Sequence, residues 1–227
     1  MLRVLLATVL IAQAHAQTSD AAELVKKAKA FGNSTSTWTA EVTEVSKIEG
    51  PGMKVMGEIH TRMAAEPSLK MSRVNSGDDR TIMVCDGTNF FYLGDGLTYD
   101  QREATQQCNV PLISLYDGTL KELSKLSNGL TSLSKVGEDH VLLSDGDHPC
   151  VLIRAEFKQE SWRRIGTMCI DPVRPVVLRD VSEAANPGTG VSGTTTRTFT
   201  AFELNPSIPP NTFHFTIPPG AAKLPPR

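Results

Sequence analysis

The stretch Cys150-Val151-Leu152-Ile153-Arg154-Ala155-Glu156-Phe157-Lys158 sets Val151, Ile153, Ala155 and Phe157 against Leu152, Arg154, Glu156 and Lys158. A period of two places one set on each face of a β-strand. Gln159 to Ser161 are polar and make a turn, and Arg164 to Ile170 returns as a second strand. Folding this hairpin between Gln159 and Glu160 sets Cys150 opposite Cys169, and cross-strand neighbours come close enough to bridge. The stretch reads as an antiparallel pair carrying a disulfide.

The same period runs outward from it. Trp38, Ala40 and Val42 alternate with Thr39, Glu41 and Thr43. Val55, Gly57 and Ile59 alternate with Met56, Glu58 and His60, and Leu69 and Met71 with Lys70 and Ser72. Arg80 to Cys85 and Asn89 to Leu93 are more continuously apolar. Gly94-Asp95-Gly96 turns the second of these into Leu97-Thr98-Tyr99, with the glycine-rich chemistry of a hairpin. Strands resume near Val141 and continue at Val176 to Val181 and Thr194 to Glu203. Between the last two, Ala184 to Gly193 is rich in Gly, Ala and Asn and reads as a mobile loop. Phe213-His214-Phe215 reads as a short last strand before Pro218-Pro219-Gly220.

Two regions have a helical period instead. Asp20 and Glu23 form a capping-box-like start, and Ala21, Leu24, Val25, Ala28 and Phe31 share one face of a helix over about residues 19 to 31, stopped by Gly32 and Asn33. Pro111 fits the first turn of a short helix whose Leu112, Leu115 and Tyr116 share a face. Thr119-Leu120-Lys121-Glu122 is a capping box, followed by Leu120, Leu123 and Leu126 at helical spacing and by Asn128-Gly129 as a stop. Helices this short need a partner for their apolar face. The fold class is therefore mainly β (α+β): short turns favour antiparallel pairing, and a large antiparallel sheet curls. The amphipathic helices would cover its apolar concave side, either completing a filled core or roofing a cavity.

Residues 1–16 read as a secretory signal. Met1-Leu2-Arg3 is the positive start, Val4 to Ile11 the apolar run, and Ala14-His15-Ala16 the cleavage pattern, leaving one domain over 17–227. The formal net charge of −2 gives no electrostatic reason to hold nucleic acid. Four cysteines in an exported chain imply two disulfides. Of three connectivities, Cys150–Cys169 follows from the hairpin, leaving Cys85–Cys108, where the register is looser. The sequence has no G-x-S-x-G elbow, P-loop or G-x-G-x-x-G turn. Asp145-Gly146-Asp147-His148 matches no zinc or EF-hand spacing and reads as a polar turn. Asn33-Ser34-Thr35 matches the glycosylation acceptor pattern. These readings favour a binding protein over an enzyme, with no metal-site spacing.

In order and spacing, four motifs resemble the periplasmic carriers that take lipoproteins to the outer membrane, the LolA-like family. They are Trp38-Thr39-Ala40-Glu41-Val42-Thr43; Ile82-Met83-Val84-Cys85-Asp86-Gly87 with Phe90-Phe91-Tyr92; Cys169-Ile170-Asp171-Pro172; and Phe213-His214-Phe215-Thr216-Ile217-Pro218-Pro219-Gly220. The resemblance implies a half-open barrel with a helical lid. It also implies a periplasmic chaperone that shields lipid-modified proteins or lipids, with no cofactor and no catalysis, and with an inner-membrane donor and an outer-membrane acceptor; a monomer is expected. Leu24, Trp38, Val42, Val55, Ile59, Leu69, Met71, Val84, Leu112, Leu120 and Leu123 would line its cavity, with Met53, Met56, Met63, Met71 and Met83 crowding the first strands. Each CH₂ buried there is worth roughly 0.8 kcal/mol, enough for one acyl chain to bind usefully. The chain departs from the family at Glu66, which stands before Pro67 where the carriers latch the lid with an Arg, and in its disulfides and its 184–193 loop. The competing expectations are a sensory or regulatory module of the envelope-stress type, which shares the fold, and an exported hydrolase.

Overall fold

The computed structural model describes residues 20–78, 80–94, 97–116, 118–124 and 129–225. Helix α1 covers 20–34. A first meander follows: β1 (Trp38–Gly50), β2 (Met53–Glu66), β3 (Lys70–Gly77), β4 (Ile82–Asp86), β5 (Asn89–Leu93) and β6 (Thr98–Glu103). The chain then crosses the sheet through 3₁₀ turns at Gln106–Cys108 and Leu112–Leu115 and the short helix α2 (Thr119–Ser124). A second meander comprises β7 (Leu130–Leu143), β8 (Gly146–Gln159), β9 (Trp162–Ile170), β10 (Val177–Asn186) and β11 (Val191–Leu204), and the tail ends in β12 (Ala222–Lys223). Among the described residues, the twelve strands form one unclosed sheet, in the order β12-β6-β5-β4-β3-β2-β1-β11-β10-β9-β8-β7. Every pairing is antiparallel except the short parallel contact of β12 with β6.

The sheet curls, and its two faces are covered differently. On the concave face, α1 buries Ala21, Val25 and Ala28, and the crossing segment buries Leu112, Tyr116, Leu120 and Leu123, against Trp38, Ala40, Phe199, Phe202, Ile153 and Met168. On the convex face, the tail after β11 runs back under the first meander. There Ile208 and Phe213 pack on Ala64, and Phe215 stacks on Phe91 at 4.9 Å between ring centroids. Ala222 and Leu224 then donate backbone hydrogen bonds of 2.8 Å to Leu97 and Tyr99. The tail occupies an edge that would otherwise offer unpaired backbone groups.

The hairpin at 150–170 is present, but its pivot lies one position further on. Gln159 faces Trp162 across a turn of Glu160 and Ser161, so Leu152, not Cys150, faces Cys169. Glu160 takes a positive φ of 48° to make that turn. Cys150 and Cys169 are bridged all the same, across a diagonal with Cα atoms 5.3 Å apart. Changing the register by two keeps every side chain on its face. The second bridge joins Cys85 of β4 to Cys108, pinning the start of the crossing segment to the sheet.

Three other expectations change. The loop expected at 184–193 shrinks to 187–190 because β10 and β11 extend into it. Asn186 ties that turn, its side-chain oxygen accepting from Gly188 N at 3.0 Å and its backbone oxygen from Gly190 N at 3.0 Å. Phe213-His214-Phe215 is not a strand: a 3₁₀ turn at Pro210–Phe213 leads into extended chain, because Pro209 and Pro210 provide no backbone N–H. Helix α1 continues past Gly32 and Asn33, where Thr35 N still donates to Phe31 O at 3.1 Å. The signal at 1–16, Asp95-Gly96, Leu126 and Asn128 lie outside the described residues. The polar turn expected at Asp145–His148 is shorter: Ser144 and Asp145 make the β7–β8 turn and 146–148 already belong to β8, with His148 on Asp145 at 2.9 Å and His140 on Asp147 at 3.0 Å. No group of His, Cys, Asp and Glu suited to a metal occurs among the described residues.

Replacing Cys150 and Cys169 together by Ala is expected to lower unfolding free energy by about 2–4 kcal/mol, the usual range for releasing a loop of this kind. Urea denaturation under non-reducing conditions, against wild type with and without reductant, measures it.

Candidate functional site

The structure gathers Leu24, Trp38, Val42, Leu112, Leu120 and Leu123 into one cluster under α1 and the crossing segment. Trp38 is fully buried, and its indole N–H donates to Val110 O at 3.2 Å. The others on the expected lining go elsewhere. Leu69 and Met71 pack around the Cys85–Cys108 bridge, with Met83 and Phe90. Val84 faces the convex side with Leu93, Tyr99 and Phe215. Val55 is 50% exposed and Ile59 half-buried, both on β2 beyond the reach of the helices. Under the helices, between Val42, Leu115, Tyr116, Leu120, Val177 and Phe199, only about 20 Å³ stays open. That is about one water's worth of space, so this part of the concave face is filled.

A polar clasp holds the cover down. Thr119, the first residue of α2, donates its backbone N–H and its hydroxyl to the Asp180 carboxylate on β10, at 2.8 and 2.6 Å. Both residues are buried. Burial pushes the Asp180 carboxyl above its ordinary range, while the two Thr119 bonds and the Arg197 charge pull it back. Arg197 on β11 is itself paired with Glu44 on β1. The clasp depends on two missing side chains. A Cβ on Gly118 would stand 1.6 Å from Asp180 Oδ2, and one on Gly166 of β9 would stand 1.9 Å from Thr119 Oγ1. Three further bonds tie the cover. Lys29 Nζ donates to Leu123 O at 2.9 Å, Leu112 N to Thr35 O at 2.9 Å, and Val177 N to the Tyr116 hydroxyl at 3.4 Å. Glu66 takes no part in this: it pairs with Lys70 at 3.5 Å at the turn into β3. The T-x-x-E pattern therefore marks the right threonine, but its hydroxyl reaches across to the sheet.

Beyond the clasp the concave face lies open. A trough of about 360 Å³ runs from Gly118 and Glu122 of the crossing segment over β1, β11, β10 and β9. Its floor is made of small residues, Ser182, Ala184, Gly193 and Thr195, and its apolar walls are Ile48, Val191 and Trp162. Trp162 is 36% exposed. On β2 the same face continues through Val55, paired with Ile48, to Ile59, paired with Glu44. Arg164 lines the trough and lies 3.8 Å from Glu122. The volume falls within the roughly 300–1,000 Å³ of small-molecule sites. Ile48, Val191, Trp162 and Asp180 carried no signal in the sequence, because nothing in a strand's period says where its cover stops.

No protein-family model and no curated protein matches the chain. Among solved structures, MucB superposes with a TM-score of 0.48 at 14% identity, over 88% of this chain and 64% of that one. The MucA/MucB complex of Pseudomonas aeruginosa gives 0.42 and 13%, over 87% and 61%. A LolA superfamily protein from Nitrosomonas europaea gives 0.32 and 7%, over 86% and 97%. This chain thus spans a little less than two thirds of the MucB chain. The superfamily that the sequence resembles is among the structural matches, at low identity.

Gly166→Ala is expected to lift α2 from the sheet, because its methyl group would overlap the Thr119 side chain. Amide hydrogen exchange over 112–124 should rise at least ~10-fold, with the strands of the first meander unchanged. Asp180 sets a pH dependence of known sign. Its folded carboxyl holds a proton more tightly than the unfolded one, so its contribution to stability falls as pH rises from the ordinary 3.8 through the raised folded value. Asp180→Asn should remove that slope in urea titrations run from acidic to neutral pH.

Proposed function

We propose that this protein is a non-enzymatic periplasmic carrier whose concave face takes acyl chains of lipid-modified proteins or of lipids. The observation that supports this most directly is the open trough whose walls include the apolar Ile48, Val191 and Trp162, whose floor is of small residues, and whose polar rim holds Glu122, Arg164 and Arg197. A floor of Ser, Ala and Gly leaves room above the sheet, and flexible apolar chains fill such space without needing directional bonds. The trough ends at Gly118, where the clasp holds the cover of the apolar core. A chain lying in the trough is thus placed to extend under the cover when α2 lifts. Two disulfides suit an oxidising compartment. No helix among the described residues is long and apolar enough to cross a membrane.

A second reading is a regulatory module that binds a protein segment. It is favoured by the edge of β7, which ends the sheet with Leu130, Val136 and Leu142 exposed. An extended peptide adds to such an edge by backbone pairing. The bulges in β7 at Leu130/Ser132 and Lys135/Gly137 interrupt that edge, which makes the carrier the stronger reading.

Native mass spectrometry of protein purified from the periplasm, with and without added lipid extract, tests the proposal. Bound mass matching an acyl lipid or an acylated peptide is the expected result, and a bare mass under both conditions would sink it. Ala184→Phe should fill the floor and weaken binding of a fluorescent fatty acid at least ~10-fold, worth about 1.4 kcal/mol, with the fold retained. The Trp162 emission should shift to the blue on binding in wild type, and Trp162→Phe should lose that shift while Trp38 emission stays.

A further inference from the structure

The β1–β2 hairpin extends past the covered core and carries a dense group of exposed apolar residues. Ile48 is 42% exposed, Met53 45%, Val55 50% and Met56 64%. The register places them on both faces of the ribbon. Ile48 pairs with Val55, and Gly50 with Met53, on the concave face; Met56 pairs with Lys47 on the other. The turn between them is Gly50-Pro51-Gly52, with no polar side chain. Leu97 and Val173, also exposed, lie singly at separate bends and need no explanation.

We propose that this hairpin tip docks on a lipid bilayer, bringing the open trough against the membrane surface. A folded protein partner would cover one face of the ribbon and leave Met56 or Val55 in water. A bilayer interface accommodates a tip whose concave face and turn are apolar and whose other face sets Met56 beside Lys47, Glu49 and Lys54 at the headgroup level. Lys47 and Lys54 flank the tip, with Glu49 between them at 2.9 and 3.8 Å. Nearest the turn the two lysines outnumber Glu49, Glu58 lying further along β2 at 3.2 Å from His60, and the lysine stems let the ammonium groups reach anionic headgroups. Ile48 belongs both to this tip and to the trough wall. An acyl chain leaving the bilayer at the tip enters the trough without crossing bulk water. That transfer role rests on the carrier reading, whereas the docking stands on the hairpin alone.

The test is sedimentation of the disulfide-intact mature protein with vesicles of phosphatidylcholine and of phosphatidylcholine mixed with phosphatidylglycerol. Wild type should bind both and prefer the mixed vesicles. Met53→Ser with Met56→Ser should weaken binding to both at least ~10-fold, since two partly inserted apolar side chains are lost. Lys47→Glu with Lys54→Glu should abolish the preference for the mixed vesicles. These positions are exposed, so circular dichroism should be unchanged. Solution binding of a fluorescent fatty acid by the methionine variant should stay within about twofold of wild type, which separates docking from the trough. Absence of vesicle binding in wild type, or undiminished binding by the methionine variant, would overturn the proposal. Capture of a protein by the tip without vesicle binding would do the same. Vesicle binding without fatty-acid uptake would leave the docking in place and remove the carrier reading.

Discussion

β1 and β11 come from opposite ends of the described chain, and their pairing joins two meanders into one sheet. The ladder runs from Trp38 facing Leu204 to Glu49 facing Ser192, with one bulge beside Val42. Each meander forms from neighbouring hairpins, which need only short loops to close. This junction closes across the whole chain, so its loop entropy is the largest in the fold and its contacts must offset it. They do so on the concave side through Val42 with Phe199 and Ala40 with Phe202, and through the Glu44–Arg197 pair, whose members stand 153 residues apart. Ser46 and Thr195 add a hydroxyl bond at 3.1 Å. Asp180 sits one strand further, facing Arg197 in register. The row Glu44, Arg197, Asp180 and Thr119 thus links β1 to α2 across the junction.

The same junction divides the concave face into two regions with different chemistry. On one side, Trp38, Phe202 and Leu112 belong to a closed apolar cluster. On the other lie Ile48, Gly193 and Ala184, open to solvent. Between them run Glu44, Arg197 and Asp180. A polar belt at this point stops the core from continuing into the trough and gives the cover a boundary. The energies follow the same division. Hydrogen bonds at the clasp contribute about 0.5–1.5 kcal/mol each in net terms, more where a charge is involved. Burial of Leu120 and Leu123 contributes about 1.5–3 kcal/mol each. Apolar burial, not the clasp, is thus the larger cost of lifting α2. Under the proposed carrier function an acyl chain would offset that cost, at roughly 0.8 kcal/mol for every CH₂ that takes the place of a leucine contact.

The period of two was enough to read the strands, because alternation is set by the backbone and survives small errors of register. The hairpin at 150–170 shows this: its pivot moved by one residue, its pairing by two, and each side chain kept its face. Turns were less legible. The Gly- and Asn-rich segment after Ala184 carries the composition of a mobile loop, yet Asn186 uses its own amide to tie a four-residue turn. The site was legible only where helices touch strands. Leu112, Leu120 and Leu123 announce themselves through helical spacing, and Trp38 through its place in β1. Val55 and Ile59 have the same alternation as Trp38 and Val42, but how far a cover reaches along a strand is a tertiary fact. Asp180 looked like any strand aspartate because its partner lies 61 residues away.

Which parts can move follows from how each face is tied. The convex side carries a tail anchored at Phe213, Phe215 and β12, and the disulfide at Cys150–Cys169 fixes neighbouring strands of the second meander. The other disulfide fixes Cys108 on β4, just before the crossing segment rises onto the concave face. Downstream of Cys108 the chain is held by non-covalent contacts alone until β7 begins at Leu130. Trp38 grips Val110 at the near end of that span, and Thr119 grips Asp180 further along. A segment with a covalent anchor at its root and a removable clasp further out can lift without loosening the sheet. The glycines at 118 and 166 fit this arrangement, since they let α2 approach its carboxylate closely while adding no apolar contact that would have to be broken.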